Sequence, residues 1–185
     1  MDFVETPSHL MEHYVWDANF LHILGRHYVT GEPMPPDLVE NLIKGRNVFK
    51  SCDVQTQAVY AKFDQTIFGD PTLWKGKGMS TMDVFTSLHH DHKILYADET
   101  HWYTRFGHLV TYGAGYYSYL YCSYYAADLW KTCFGGGGNG ALSRDIGLTY
   151  WKEMLIHGGS KDPNVMLKTM LGREPRVNSF LEFLE

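Results

Sequence analysis

The sequence predicts an all-α fold, and three observations carry that expectation. Apolar residues recur every three or four positions, which is the helical period and not the alternation of a strand. Aromatic residues, 13 Tyr, 10 Phe and 5 Trp, follow the same spacing. Proline and glycine stand where these periodic segments begin and end. With 185 residues, 44% of them hydrophobic, the chain has the size of one domain or a piece of a larger one and enough apolar surface for a core.

The first helix is expected from Thr6 to about Tyr28. Leu10, Tyr14, Ala18 and Leu21 form its stripe, Pro7 suits its first turn, and Gly31 with Pro33 closes it. After the Pro33, Pro35, Pro36 turn, Asp37 is expected to cap a second helix on which Leu38, Leu42 and Phe49 share a face. A third is expected from Asp53 to Phe68, with Val54, Ala58, Ala61 and Phe68 on one side and Gly69-Asp70-Pro71 as its stop. Ser80 or Thr81 can cap a short helix toward Leu88. His89 to Gly115 reads as irregular. Tyr116 to Phe134 reads as a strong helix broken by the Gly135 to Gly140 run, and three more helices follow near Ser143–His157, Pro163–Leu171 and Val177–Leu184.

Charge and cysteine usage exclude several function classes. Sixteen basic against 21 acidic residues give a net charge of −5, without the basic field that non-specific nucleic-acid binding requires. No stretch reaches the roughly 18 uninterrupted apolar residues of a membrane span. Cys52, Cys122 and Cys133 are odd in number and share no CxxC spacing, which fits a reducing compartment.

Some side chains can carry chemistry. Glu5 and Glu12 are seven apart, about 20° short of two full helical turns, so both face one way on the first helix with His9 between them. With His13 they offer a candidate metal stripe, although spacing alone reads more simply as a solvated polar face. His89, His90 and His92 crowd four positions, cannot easily converge on one ion, and read as a surface loop. Gly135, Gly137 and Gly140 match the letters of GxGxxG but follow a helix, so they read as a connection and not a dinucleotide site. From Arg105 to Tyr119 glycines alternate with phenols ahead of a helix. Tyr112, Tyr116 and Tyr119, spaced by four and three, can present their hydroxyls on one side with His108 as donors to an oxyanion, or can pack their rings inward. Tyr117, Tyr121 and Tyr125 are expected to pack into the core.

Several blocks then resemble a known family in its own order: Asp2-Phe3-Val4-Glu5 running into Pro7-Ser8 and Met11-Glu12, Arg26-His27-Tyr28 with Thr30-Gly31, and Phe106-Gly107-His108-Leu109. Tyr116-Tyr117-Ser118-Tyr119-Leu120, Gly158-Gly159-Ser160 with Asp162-Pro163, and Leu171-Gly172-Arg173 continue the series. The chain resembles the thimet-oligopeptidase family of zinc metallopeptidases. Gly107-His108-Leu109-Val110 followed by Tyr112-Gly113-Ala114 is most similar to its mitochondrial intermediate peptidase branch.

The resemblance implies that Zn2+ is held by two histidines of an HExxH helix and by a downstream glutamate matching Glu5, with Glu12 supporting a zinc-binding histidine from behind. It implies that His108, Tyr116 and Tyr119 stabilise the tetrahedral intermediate, while Tyr112 and Gly113 bind the substrate backbone. None of the ten histidines belongs to an HExxH. The expectation is therefore that residues 1–185 are the C-terminal part of a peptidase catalytic domain, inactive alone, whose partner is the missing N-terminal half. The branch implies a matrix enzyme that removes short N-terminal peptides from imported precursor proteins. Competing expectations are a cytosolic oligopeptidase fragment, a non-catalytic helical module that binds peptides or a partner, and a metal-storage protein using Glu5, His9, Glu12 and His13.

Overall fold

A computed structural model of the chain describes residues 2–135 and 140–184. Helix accounts for 65% of the described residues, which hold no strand, only one bridge between Arg26 and Pro33. The all-α expectation holds. The chain divides into two compact units: Asp2 with Phe49–Leu120, and Phe3–Val48 with the described residues from Tyr121 onward. The first is called here the inserted unit and the second the flanking unit.

In the flanking unit, α1 (Thr6–Glu12) carries Pro7 in its first turn and passes into a 3-10 turn, His13–Trp16. Asp17 then takes an extended backbone, φ −88° and ψ 124°, and its carboxylate accepts the Phe20 N–H at 2.9 Å, capping α2 (Ala18–Leu24). The single long helix expected to Tyr28 is thus two, because an aspartate side chain competes for a backbone N–H and restarts the helix. α3 (Pro36–Gly45) begins on Pro36, so Asp37 sits within its first turn and caps nothing. Val39 is its buried residue. The stripe expected on Leu38, Leu42 and Phe49 is 52%, 41% and 75% exposed. Val39 lies a helical step away from that stripe, and Phe49 stands beyond the helix with φ 62°.

The left-handed Phe49 sets the start of α4 (Lys50–Phe68) in the inserted unit, three residues earlier than expected. Its buried residues are Val59, Ala61, Phe63 and Asp64; of the expected face only Ala61 is buried, and Phe68 is exposed. α5 (Thr81–Asp91) starts in a capping box: the Asp83 N–H donates to Ser80 Oγ at 3.1 Å and the Ser80 N–H to Asp83 Oδ2 at 2.7 Å. Phe63, Trp74, Val84 and Phe85 form this unit's core. The single turn α6 (His108–Thr111) follows, and then α7 (Ser118–Leu129), within which the chain passes into the flanking unit.

α7 starts two residues later than expected and ends in a π-turn, Trp130–Phe134, where the Gly135 N–H reaches the Trp130 carbonyl at 2.6 Å. Gly137 lies outside the described residues. α8 (Arg144–Glu153) is capped by Ser143, and α9 (Pro163–Leu171) matches its expected bounds, with Asp162 at one end and left-handed Gly172, φ 67°, at the other. α10 (Asn178–Glu182) closes the series. The core of the flanking unit joins Leu10 to Ala126, Leu129, Phe134, Tyr150, Met166 and Leu167. Asp128, with no solvent exposure, ties α7 to α10 and the segment before it. It accepts from Arg173 Nη1 and Nη2 (2.7 and 2.8 Å), the Arg176 N–H (2.8 Å) and Ser179 Oγ (2.8 Å). No described helix is long and apolar enough to cross a membrane.

Candidate active site

The glycine and tyrosine segment forms one wall within the inserted unit. The Tyr112 N–H returns to the His108 carbonyl at 2.6 Å, closing α6, and the Gly115 N–H reaches the Tyr112 carbonyl at 2.8 Å. Between them Ala114 adopts φ 60°, a left-handed backbone that disfavours a side chain. Gly113 lies against Phe68, where an added Cβ would sit 3.0 Å from the ring, so a glycine lets the loop approach α4 this closely. Asp64, fully buried on α4, accepts the Ala114 N–H and the Tyr116 N–H with its two oxygens, each at 3.0 Å, and Gln65 Nε2 donates to the Ala114 carbonyl at 2.7 Å.

This backbone brings the predicted rings together. The His108 centroid lies 6.3, 5.4 and 5.6 Å from those of Tyr112, Tyr116 and Tyr119, and Tyr119 lies 5.1 Å from Tyr116 and 6.1 Å from Tyr112. His108, Tyr112 and Tyr119 line an open cleft of about 620 Å³ with Arg105, Phe106, Gly107 and Thr111. An imidazole and two phenols there can donate hydrogen bonds to a carbonyl oxygen or its anion. Tyr116 is buried, and its hydroxyl donates to Gln57 Oε1 at 2.6 Å. Burial, reinforced by Tyr119 and Tyr60, pushes its phenol up to about 12 against the opposing Gln57 bond. Of the other three tyrosines, Tyr125 is buried as expected, Tyr117 is half-buried with its hydroxyl on Asp2, and Tyr121 is exposed.

The predicted metal residues lie in the flanking unit. Glu5 stands half-buried just before α1, and its Oε2 accepts from Ser8 Oγ at 3.1 Å. Glu12 is exposed at the other end of α1, 3.8 Å from His9 Nδ1. His13 is buried, stacked on Trp130 at 5.3 Å and tilted against Phe183 at 4.6 Å. Among the described residues no three His, Cys, Asp or Glu side chains are grouped to hold a metal ion, which removes the storage reading built on Glu5, His9, Glu12 and His13. A zinc site needs three protein donors, and Glu5 is chemically suited to be one of them.

The expected surface loop at His89, His90 and His92 is instead the end of α5. His89 is buried with Nδ1 2.9 Å from the Phe85 carbonyl, His90 Nε2 lies 3.0 Å from Asp98, and His92 Nε2 lies 2.9 Å from Lys62 Nζ. The three rings face different partners. Gln57, Asp64 and Gln65 escaped the sequence reading, although Asp64 carried a signal: a carboxylate set among Ala61, Phe63, Ile67 and Phe68.

Peptidase family M3 matches residues 1–185, and the chain belongs to that family. It is 38% identical over 184 residues to the mitochondrial intermediate peptidases of Homo sapiens and Pongo abelii, a match covering 99% of this chain and 25% of each relative. To the mitochondrial intermediate peptidase of Arabidopsis thaliana it is 37% identical over 175 residues, 94% of this chain and 24% of that protein. The chain thus spans about a quarter of the length of these curated relatives.

Proposed function

We propose that residues 1–185 are the C-terminal part of the catalytic domain of a zinc-dependent metalloendopeptidase of the mitochondrial intermediate peptidase type. In this reading the whole enzyme removes short N-terminal peptides from imported precursor proteins in the mitochondrial matrix. The observation that carries the proposal is the convergence of His108, Tyr112 and Tyr119 on one cleft, in a chain whose whole length matches a peptidase family.

Glu5 contributes one carboxylate ligand, two histidines come from the rest of the enzyme, and Glu12 orients one of those imidazoles. Zinc, when held, supplies Lewis acidity at the peptide carbonyl and an activated water. The residues of this chain supply the rest. His108 and Tyr119 donate to the carbonyl oxygen as negative charge develops on it, where preorganised donors act most strongly. Tyr116 joins them by turning its hydroxyl from Gln57. Tyr112 and Gly113 hold the peptide backbone.

The test uses a quenched fluorescent peptide and zinc analysis. The purified 185-residue chain is expected to show no turnover, and the full-length enzyme is expected to cleave. Glu5→Gln in the full-length enzyme should lower both bound zinc and kcat by 10-fold or more, on the order of a lost ligand-sphere interaction. Full zinc content in that variant would overturn the role of Glu5, and turnover by the chain alone would overturn the fragment reading.

A further inference from the structure

We infer that Asp64 is a positioning residue for the tyrosine loop: its buried carboxylate pins the Ala114 and Tyr116 amides, so that the backbone leading into α7 is held at Tyr116 while Tyr112 and Gly113 lie ahead of the pinned point. The inference rests on the peptidase reading above for its catalytic consequence, but its structural part stands on geometry alone.

Asp64 has no solvent exposure, and among the described residues no lysine or arginine pairs with it. A buried carboxylate without a cation is costly, and an apolar side chain of similar size would pack into the same place at less cost. What an apolar residue cannot do is receive two N–H groups two residues apart. Asp64 Oδ1 takes the Ala114 N–H and Oδ2 the Tyr116 N–H. The loop between them needs such a hold, because Ala114 is left-handed and a side chain there favours other backbone conformations. Gln65, the next residue on α4, holds the Ala114 carbonyl, and Gln57, nearly two turns earlier, holds the Tyr116 hydroxyl. One face of α4 therefore sets the loop's backbone on both sides of its strained residue. Tyr112 precedes this hold in the chain, and Tyr116 and Tyr119 follow it.

Two arms test the inference. In the first, amide hydrogen exchange is read residue by residue in the 185-residue chain. Asp64→Asn presents one acceptor and one amide donor to two N–H groups, so exchange at Ala114 and Tyr116 should rise about 10-fold, the equivalent of one lost hydrogen bond, with core amides of α5 unchanged. Gln65→Ala, at an exposed position that folding tolerates, should speed exchange at the Ala114 to Tyr116 turn about threefold. The second arm uses the full-length enzyme. Asp64→Asn should lower kcat about 10-fold with KM nearly unchanged, as expected for misplaced transition-state donors. Adding Ala114→Gly should restore part of that loss, because glycine takes the left-handed backbone freely. Exchange at residues 114 and 116 that neither variant alters would overturn the inference, as would a kcat loss that Ala114→Gly leaves unrelieved. A wild-type enzyme without zinc-dependent cleavage would remove the peptidase reading instead, and the exchange arm would then decide the role of Asp64.

Discussion

Arg173→Ala should destabilise the flanking unit by about 3 kcal/mol, since removing one partner of a buried ion pair leaves the other charged and desolvated. The carboxylate left behind is that of Asp128, which has no exposure and receives two guanidinium bonds at 2.7 and 2.8 Å. The Arg176 N–H and Ser179 Oγ remain as donors, and the Arg173 side chain is itself 28% exposed, which places the cost at the low end of the usual range. For a chain of this size about 3 kcal/mol corresponds to a fall of roughly 6–12 °C in Tm. The pH dependence has a definite sign. Burial pushes the Asp128 carboxyl up, but the bonds from Arg173, the Arg176 N–H and Ser179 outweigh it and hold the group below the ordinary carboxylate range. A depressed carboxyl contributes stability above its unfolded pKa, near ~4, and loses it as pH falls through the lower folded value. Urea unfolding followed by circular dichroism should therefore show the full gap between wild type and variant at pH 7, and a shrinking gap as the pH falls below about 4. A gap under about 1 kcal/mol at pH 7, or one that widens on acidification, would refute the reasoning.

Two further expectations follow from the buried titratable groups. Tyr116, raised to about 12, is a group whose folded pKa exceeds its unfolded value of 10.0, so its contribution is whole below pH 10 and lost as pH rises toward 12. The stability difference between wild type and Tyr116→Phe should fall across that interval; a difference that grows there would contradict the assignment. Among the cysteines, Cys52 is exposed, while burial pushes the thiols of half-buried Cys133 and buried Cys122 up. A thiol reagent at pH 8 should label Cys52 first, Cys133 slowly and Cys122 only with unfolding, and early labelling of Cys122 would show that its environment is open.

Local signals in the sequence proved readable where they act locally. The bounds of α9 follow from Asp162, Pro163 and Gly172, and the Ser80 cap from a serine ahead of a periodic run. The restart at Asp17 was hidden because an aspartate inside an apolar stripe does not announce which backbone N–H it will capture. Leu38 and Leu42 have the spacing of a buried face, yet spacing cannot say which neighbour arrives to cover it. At the candidate site, His108, Tyr112 and Tyr119 were legible from glycines and phenols at helical intervals. The direction of the Tyr116 hydroxyl was not, since it depends on Gln57, 59 residues away in sequence, just as the loop's backbone depends on Asp64, 50 and 52 residues from its two partners. Glu5, His9, Glu12 and His13 do not group as a metal-binding set among the described residues, and the His13 ring packs against Trp130 and Phe183.

The division of the chain bears on its biosynthesis. Phe3–Val48 leaves the ribosome before any of Phe49–Leu120, and the residues that bury Leu10, among them Ala126, Leu129, Met166 and Leu167, come later still. At roughly 5–20 residues per second, the interval between translating Leu10 and Met166 is on the order of ten seconds. Through that interval Leu10 and Tyr14 have no completed core to enter, whereas the inserted unit, contiguous from Phe49 except for Asp2, can close its own around Phe63 and Phe85. Within residues 2–184, residues 49–120 should therefore become protease-resistant before residues 3–48, which wait for the later helices to complete their core.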